Sequence, residues 1–136
     1  MREHEIQLRV RYSETDQMGV VYHGNYLPYF ETGRVEWLRN HGISYKSMED
    51  SGTALPIVSL TLNYKKPARY DELLFVRTIF KSQTSVKLEF DCEIRNDKNE
   101  LLTTGYFLLV FVDIKTGRPK PPPDYINQLL LKVESH

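Results

Sequence analysis

Between Val86 and Arg95 the chain alternates without a break, Val86, Leu88, Phe90, Cys92 and Ile94 against Lys87, Glu89, Asp91, Glu93 and Arg95. Side chains that switch faces at every residue can be sorted this way only in an extended strand, so the segment is a strand with one buried face and one wet face. A strand half in water belongs to an antiparallel sheet backed on one side. The same period recurs where Val58, Leu60, Leu62 and Tyr64 alternate with Ser59, Thr61, Asn63 and Lys65, which predicts a second half-buried strand. Leu73 to Phe80 reads as a third, reached through a Lys65 to Glu72 loop broken by Pro67. Asn96-Asp97-Lys98-Asn99 is a hairpin turn. Leu101 to Ile114 then returns with two apolar faces, Phe107, Leu109 and Phe111 on one and Leu108, Val110 and Val112 on the other. Such a strand is expected to be covered on both sides, and a partner subunit is the simplest second cover.

The remaining segments carry helical spacing. Tyr26, Phe30, Arg34, Trp37 and Leu38 mark a helix from about Tyr26 to Asn40, with Asn25 at the N-cap position and His41-Gly42 as its stop. Ser44 reads as the N-cap of a short helical turn ending by Gly52. Asp124 to Glu134 sets Ile126, Leu129, Leu130 and Val133 on one face of a terminal amphipathic helix, after a stiff spacer from Pro119 to Pro123. With an extended segment at Ile6 to Tyr12, the order is strand, helix, helical turn, four strands expected in meander, helix. The pattern is that of an α+β fold, a long helix against a curved antiparallel sheet, and 136 residues suit a single domain.

Composition removes several functions. Eighteen basic residues balance eighteen acidic ones and no Lys/Arg run exceeds Lys65-Lys66, so no nucleic-acid partner is expected. No stretch of about eighteen apolar residues exists to span a bilayer, and Met1-Arg2-Glu3-His4-Glu5 opens no signal peptide, which predicts a soluble, cytoplasmic protein. The lone cysteine, Cys92, rules out an internal disulfide and a CxxC pair, and on the apolar side of its strand it reads as a buried structural thiol. There is no Gly-rich phosphate loop and no GxSxG elbow, and Glu14, Asp16 and His23 match no compact ligand motif, so neither cofactor nor metal is expected.

Chemistry concentrates in Arg11 to Tyr26, where a polar loop brings Asp16 and His23 just ahead of the long helix. A helix start offers unpaired N–H donors and about half a positive charge, so a carbonyl oxygen held there would be polarised beside the Asp16 carboxylate. The plainer reading of Asp16 is an Asx-turn acceptor.

The arrangement Tyr12-x-x-Thr15-Asp16-x-x-Gly19-Val20-Val21-Tyr22-His23-x-x-Tyr26, with Phe30-Glu31-x-x-Arg34 on the following helix, resembles the signature of the hotdog-fold acyl-CoA thioesterases, nearest the 4-hydroxybenzoyl-CoA thioesterase/YbgC-like branch. Residues 12 to 34 match at motif level, and residues 6 to 115 in the order of elements only. The resemblance implies a hotdog, in which the sheet wraps the helix and two subunits join edge to edge, giving a homodimer or homotetramer. It implies hydrolysis of short-chain aliphatic or aromatic acyl-CoA, with a carrier-protein thioester as another substrate of the same chemistry. Asp16 would supply the essential carboxylate, as nucleophile through an acyl anhydride or as general base, and the His23 N–H would be the oxyanion donor, with Gly19 giving the chain room to turn. His23 departs from the aromatic residue of the hydroxybenzoyl-specific enzymes and agrees with the YbgC-like pattern; its imidazole could also orient water. Tyr22, Asn25 and Tyr26 flank the motif as pocket or loop-fixing residues. Coenzyme A calls for cations, for which Lys65, Lys66 and Arg69 are the candidates. Glu31 is a rival carboxylate, since another hotdog branch places its acid on the long helix; a surface role or an ion pair with Arg34 is its plainer reading. The competing functions are a non-catalytic dimer that binds acyl-CoA or acyl carrier protein, and a dehydratase of the same fold.

Overall fold

In the computed structural model, which describes residues 2–135, the alternating segments join one antiparallel sheet. Its strands are β1 (Glu3–Arg9), β3 (Ile57–Tyr64), β4 (Leu73–Thr84), β5 (Lys87–Asn96) and β6 (Leu101–Val110), in the order β1-β4-β5-β6-β3. Two short strands, β2 (Thr53–Ala54) and β7 (Val112–Asp113), pair separately. The helices are α1 (Tyr26–Asn40), α2 (Tyr45–Asp50) and α3 (Asp124–Glu134).

The expected four-strand meander is only partly formed. β4, β5 and β6 follow one another, but β3 lies beyond β6, and β1 takes the place beside β4. Residues 65–72 therefore cross one end of the sheet instead of turning back on themselves. The crossing spans three strand spacings, roughly 14 Å, well within the reach of eight residues. The first strand also differs from its expected limits: it begins at Glu3, and Tyr12–Glu14 form a 3₁₀ turn rather than extended chain. Two local signals hold after the long helix. Gly42 takes φ 84°, the left-handed stop. Ser44 Oγ accepts from the Ser47 N–H at 3.3 Å, capping α2.

The wet and dry faces follow the period of two. Leu88, Phe90, Cys92 and Ile94 of β5 and Leu74, Val76 and Phe80 of β4 are buried, and α1 lies across them with Tyr29, Phe30, Trp37 and Leu38. Each such aromatic or aliphatic side chain contributes roughly 1.5–3 kcal/mol by leaving water, so this layer is the main source of stability. Gly33 sets how near α1 comes, since a Cβ there would stand 2.8 Å from Thr78 Oγ1 and 3.0 Å from Val76 Cγ1. Trp37 stacks near Phe80 and donates its indole N–H to the Arg2 carbonyl at 2.9 Å. α3 covers the sheet's end with Ile126, Leu130 and Val133. Burial pushes the Cys92 thiol up to about 12, as befits a structural thiol. A long helix held by a curved antiparallel sheet is the α+β architecture read from the pattern, and the hotdog arrangement.

The edge strand β3 departs from its expected half-burial. Ile57, Val58, Leu60 and Tyr64 all lie at least 38% exposed, because β3 falls outside the strip that α1 covers. Beside it, β6 buries Phe107 and Leu109 and leaves Leu108 half-buried. One apolar face of this strand is thus covered within the chain, while the other is only partly covered. No helix among the described residues is long and apolar enough to cross a membrane.

Candidate active site

The loop between β1 and α1 is built around Glu14. Its carboxylate accepts the Arg11 N–H at 2.7 Å, the Arg11 guanidinium at 3.0 and 3.1 Å, and the Tyr29 hydroxyl at 2.7 Å. Its carbonyl accepts the Tyr22 N–H at 3.0 Å and the Asn25 side-chain amide at 2.8 Å. Burial raises the Glu14 carboxyl, but the Arg11 N–H, the Tyr29 hydroxyl and the Arg11 guanidinium outweigh it and hold the group below its ordinary range. Burial, with the same pairing, drives the Tyr29 phenol upward. Glu14 is therefore a fixed anion that ties the loop to α1.

Asp16 is held next to it by an Asx-turn. Oδ1 accepts the Met18 N–H at 2.8 Å and, at the longer 3.4 Å, the Val20 N–H. Gly19 follows at φ 78°, where a side chain would be strained. The turn engages Oδ1; Oδ2 takes no hydrogen bond among the described residues, so the plain reading of Asp16 is realised and still leaves one oxygen unengaged. The far side of the loop is pinned to the crossing segment, where the Val21 N–H donates to the Ala68 carbonyl at 2.8 Å and Val20 bridges Arg69.

His23 opens a 3₁₀ turn, His23–Asn25, that runs straight into α1. The first N–H groups of such a turn have no carbonyl inside it to donate to. This corrects the part expected of Asn25. It already has helical dihedrals and makes no side-chain cap, and its amide reaches back to the Glu14 carbonyl. The helix start lies one short turn earlier than its α-helical limit, at His23 itself.

Asp16, Val20, His23, Tyr26, Tyr64, Lys65 and Lys66 line one cleft of about 320 Å³. Tyr26 is a buried wall: its hydroxyl accepts the Ala68 N–H at 3.2 Å, and burial raises its phenol. Tyr22 lies outside the cleft with its ring against that of His23, centroids 4.3 Å apart. Lys66 is paired with Glu100 at 2.8 Å. Arg69 stands apart, in a neighbouring depression with Glu72, Lys98 and Glu100. The expected trio of cations is therefore split, with Lys65 and Lys66 at the cleft and Arg69 beyond its rim, because the backbone of Arg69 is held by Val20. Glu31 is exposed on α1 and forms no ion pair with Arg34, whose side chain turns inward.

Two participants escape a reading of the sequence. Tyr64 looks like one more apolar position of an alternating strand, yet its hydroxyl donates to the His23 carbonyl at 3.1 Å and its ring meets Tyr26 edge-on. Only the strand order, which sends the end of β3 past the helix start, brings it there. Glu14 has a local signal, the Arg11-x-x-Glu14 spacing across a turn, but its bond to Tyr29 requires the fold.

Comparison with known proteins follows the same lines. The sequence profile of the thioesterase-like superfamily matches residues 10–130. The acyl-CoA thioester hydrolase YbgC of Escherichia coli O6:H1 is 35% identical over 119 residues, covering 88% of this chain and 89% of that one. The acyl-CoA thioesterase YbgC of Haemophilus influenzae is 39% identical over 115 residues, covering 84% and 82%. The crystal structure of a DHNA-CoA thioesterase from Staphylococcus aureus has a TM-score of 0.94 to this chain at 35% identity, covering 99% of this chain and 93% of its own.

Proposed function

The chain belongs to the thioesterase-like superfamily, and from that premise we propose that it is an acyl-CoA thioesterase that cleaves short-chain aliphatic or aromatic acyl-CoA to the free acid and CoA. The observation that carries the reading is the shared cleft, lined both by Asp16, which has one carboxylate oxygen outside its Asx-turn, and by His23 at the helix start.

In this reading the thioester carbonyl rests at the His23 N–H, where the helix start stabilises the oxygen as it becomes an oxyanion. Asp16 then works by one of two routes. As nucleophile its carboxylate attacks the carbonyl carbon, the C–S bond breaks, CoA leaves as thiolate, and water hydrolyses the mixed anhydride. As general base it takes a proton from water while that water attacks the same carbon; the tetrahedral intermediate then collapses, the C–S bond breaks and the CoA sulfur leaves, taking up the proton that Asp16 holds. The Asx-turn supports either by fixing Oδ1 and leaving the second oxygen to react. Tyr64 holds the His23 carbonyl and so orients the turn that bears the donor. Asn25 and Tyr22 steady the loop, and Tyr26 forms the wall. Lys65 and Lys66, which line the cleft, would pair with the phosphorylated nucleotide, and Arg69 would supply a more distant charge. A thioester on a carrier protein would present the same pantetheine arm.

The exposed apolar edge β3 supports a homodimer joined edge to edge, with a homotetramer as its doubled form. Free-thiol release from a panel of acyl-CoA esters tests the assignment. Asp16→Asn should lower kcat/KM by about 10²- to 10⁴-fold, and more than any change confined to the His23 imidazole. Full activity in Asp16→Asn would remove Asp16 from the reaction.

A further inference from the structure

Among the described residues, Arg34 is the buried charge whose place the reaction above leaves unexplained. It is 3% exposed, its Nε and Nη1 have no hydrogen-bond partner, and among the described residues no carboxylate lies within ion-pair reach. Its guanidinium stands 4.4 Å from the centre of the Phe107 ring, with the Tyr45 hydroxyl nearby. A ring face and one phenol leave most of the charge uncompensated, and a buried cation in that condition costs several kcal/mol. An anionic group beside it would offset that cost.

The space for it is present. Arg34 lines a cavity of about 390 Å³ between α1 and β3 that begins at Gly24, beside His23, and is walled by Leu27, Leu60 and Phe107. It also lines a second cavity of about 510 Å³, and the two share Glu31, Arg34 and Ile57. Apolar walls with one placed cation suit a mainly hydrocarbon group with a charged end. Ten residues of helix separate Gly24 from Arg34, and the arginine leans back towards the helix start, so a carbonyl at His23 and the guanidinium lie on the order of 10 Å apart. An eight-carbon diacid spans about 9 Å at ordinary C–C bond lengths.

We infer that the groove between α1 and β3 receives an acyl group ending in a carboxylate, with Arg34 as its specificity-determining residue. This rests on the thioesterase reading and deepens it: the substrate is the half-thioester of a dicarboxylic acid. Glu31 and Glu49 line the cavities but remain exposed, where water screens them, and Glu31 repels the incoming carboxylate.

The experiment compares kcat/KM for suberoyl-CoA and octanoyl-CoA, which differ at the far end alone. The wild-type protein should prefer suberoyl-CoA by about 10-fold or more, the worth of one charged hydrogen bond. Arg34→Met should reduce the suberoyl-to-octanoyl ratio by about 10- to 100-fold, with Arg34→Lys between them, and Glu31→Gln should raise the ratio. A wild-type ratio of one or less overturns the inference and leaves the thioesterase reading standing. If Arg34→Met does not fold, the wild-type ratio and Glu31→Gln decide. If neither ester is hydrolysed, the thioesterase reading fails, and titration calorimetry with free suberate and octanoate decides separately. Saturable binding of suberate alone supports the anion site, and equal or absent binding overturns it.

Discussion

Glu14 and Tyr29 are two ends of one partly buried hydrogen bond, so their replacements should not act independently. Tyr29→Phe removes one of the four hydrogen bonds to the Glu14 carboxylate. A hydrogen bond to a charged group is worth about 1.5–3 kcal/mol, and since Arg11 continues to hold the carboxylate, the low end, about 1.5 kcal/mol, is expected. Glu14→Gln keeps an amide oxygen for Tyr29 and gives up the ion pair with Arg11. That pair is worth little, because the Arg11 side chain is 77% exposed. With the weakened bond to Tyr29 the total is about 2 kcal/mol. Once one partner is lost the other has less to lose, so the double variant should fall about 1 kcal/mol short of the sum. Urea unfolding followed by Trp37, the sole tryptophan and fully buried, reads all four stabilities. Additivity within about 0.3 kcal/mol would refute the claim that Glu14 is the hub of the loop.

Acid should act on the same group. The Glu14 carboxyl is held below its ordinary 4.5, so its contribution to stability is complete above that value and is lost as pH falls through it towards the folded value. The stability gap between wild type and Glu14→Gln should be flat above about pH 5.5 and shrink below 4.5. Gly33→Ala should destabilise by about 1–2 kcal/mol in thermal unfolding, since crowding against Thr78 and Val76 exceeds the gain in helix propensity of about 1 kcal/mol. Leu60→Arg on the exposed edge should leave the fold intact and give a monomer by analytical ultracentrifugation; an unchanged dimer would place the interface elsewhere.

The elements with local causes are legible in the amino-acid order itself. The helix over Tyr26 to Asn40, the stop at Gly42, the Ser44 cap and the amphipathic stretch at Ile126 to Val133 all rest on contacts within a few residues. Asp16 and His23 are legible as a pair through the motif, and they do share a cleft. What stays hidden is non-local. Alternation in β3 is the same whether a strand sits mid-sheet or at an edge, so the exposure of Val58 and Leu60 depends on strand order. Asn25 reads as a cap and is not one, because a cap and a 3₁₀ turn favour the same residue types. Arg34 reads as a surface partner for Glu31 because ion pairing three residues apart is common on helices; the ring of Phe107, some seventy positions away in sequence, draws it inward.

Tyr64 ends the exposed edge strand and grips the His23 carbonyl at once. Edge and cleft thus share one residue. A chain added to β3 would order Tyr64, and through it the turn at the helix start. By linkage the effect would run equally in reverse, so that a ligand in the cleft would strengthen association at the edge by the same free energy. Affinity for that ligand would then depend on how much protein is present, by mass action.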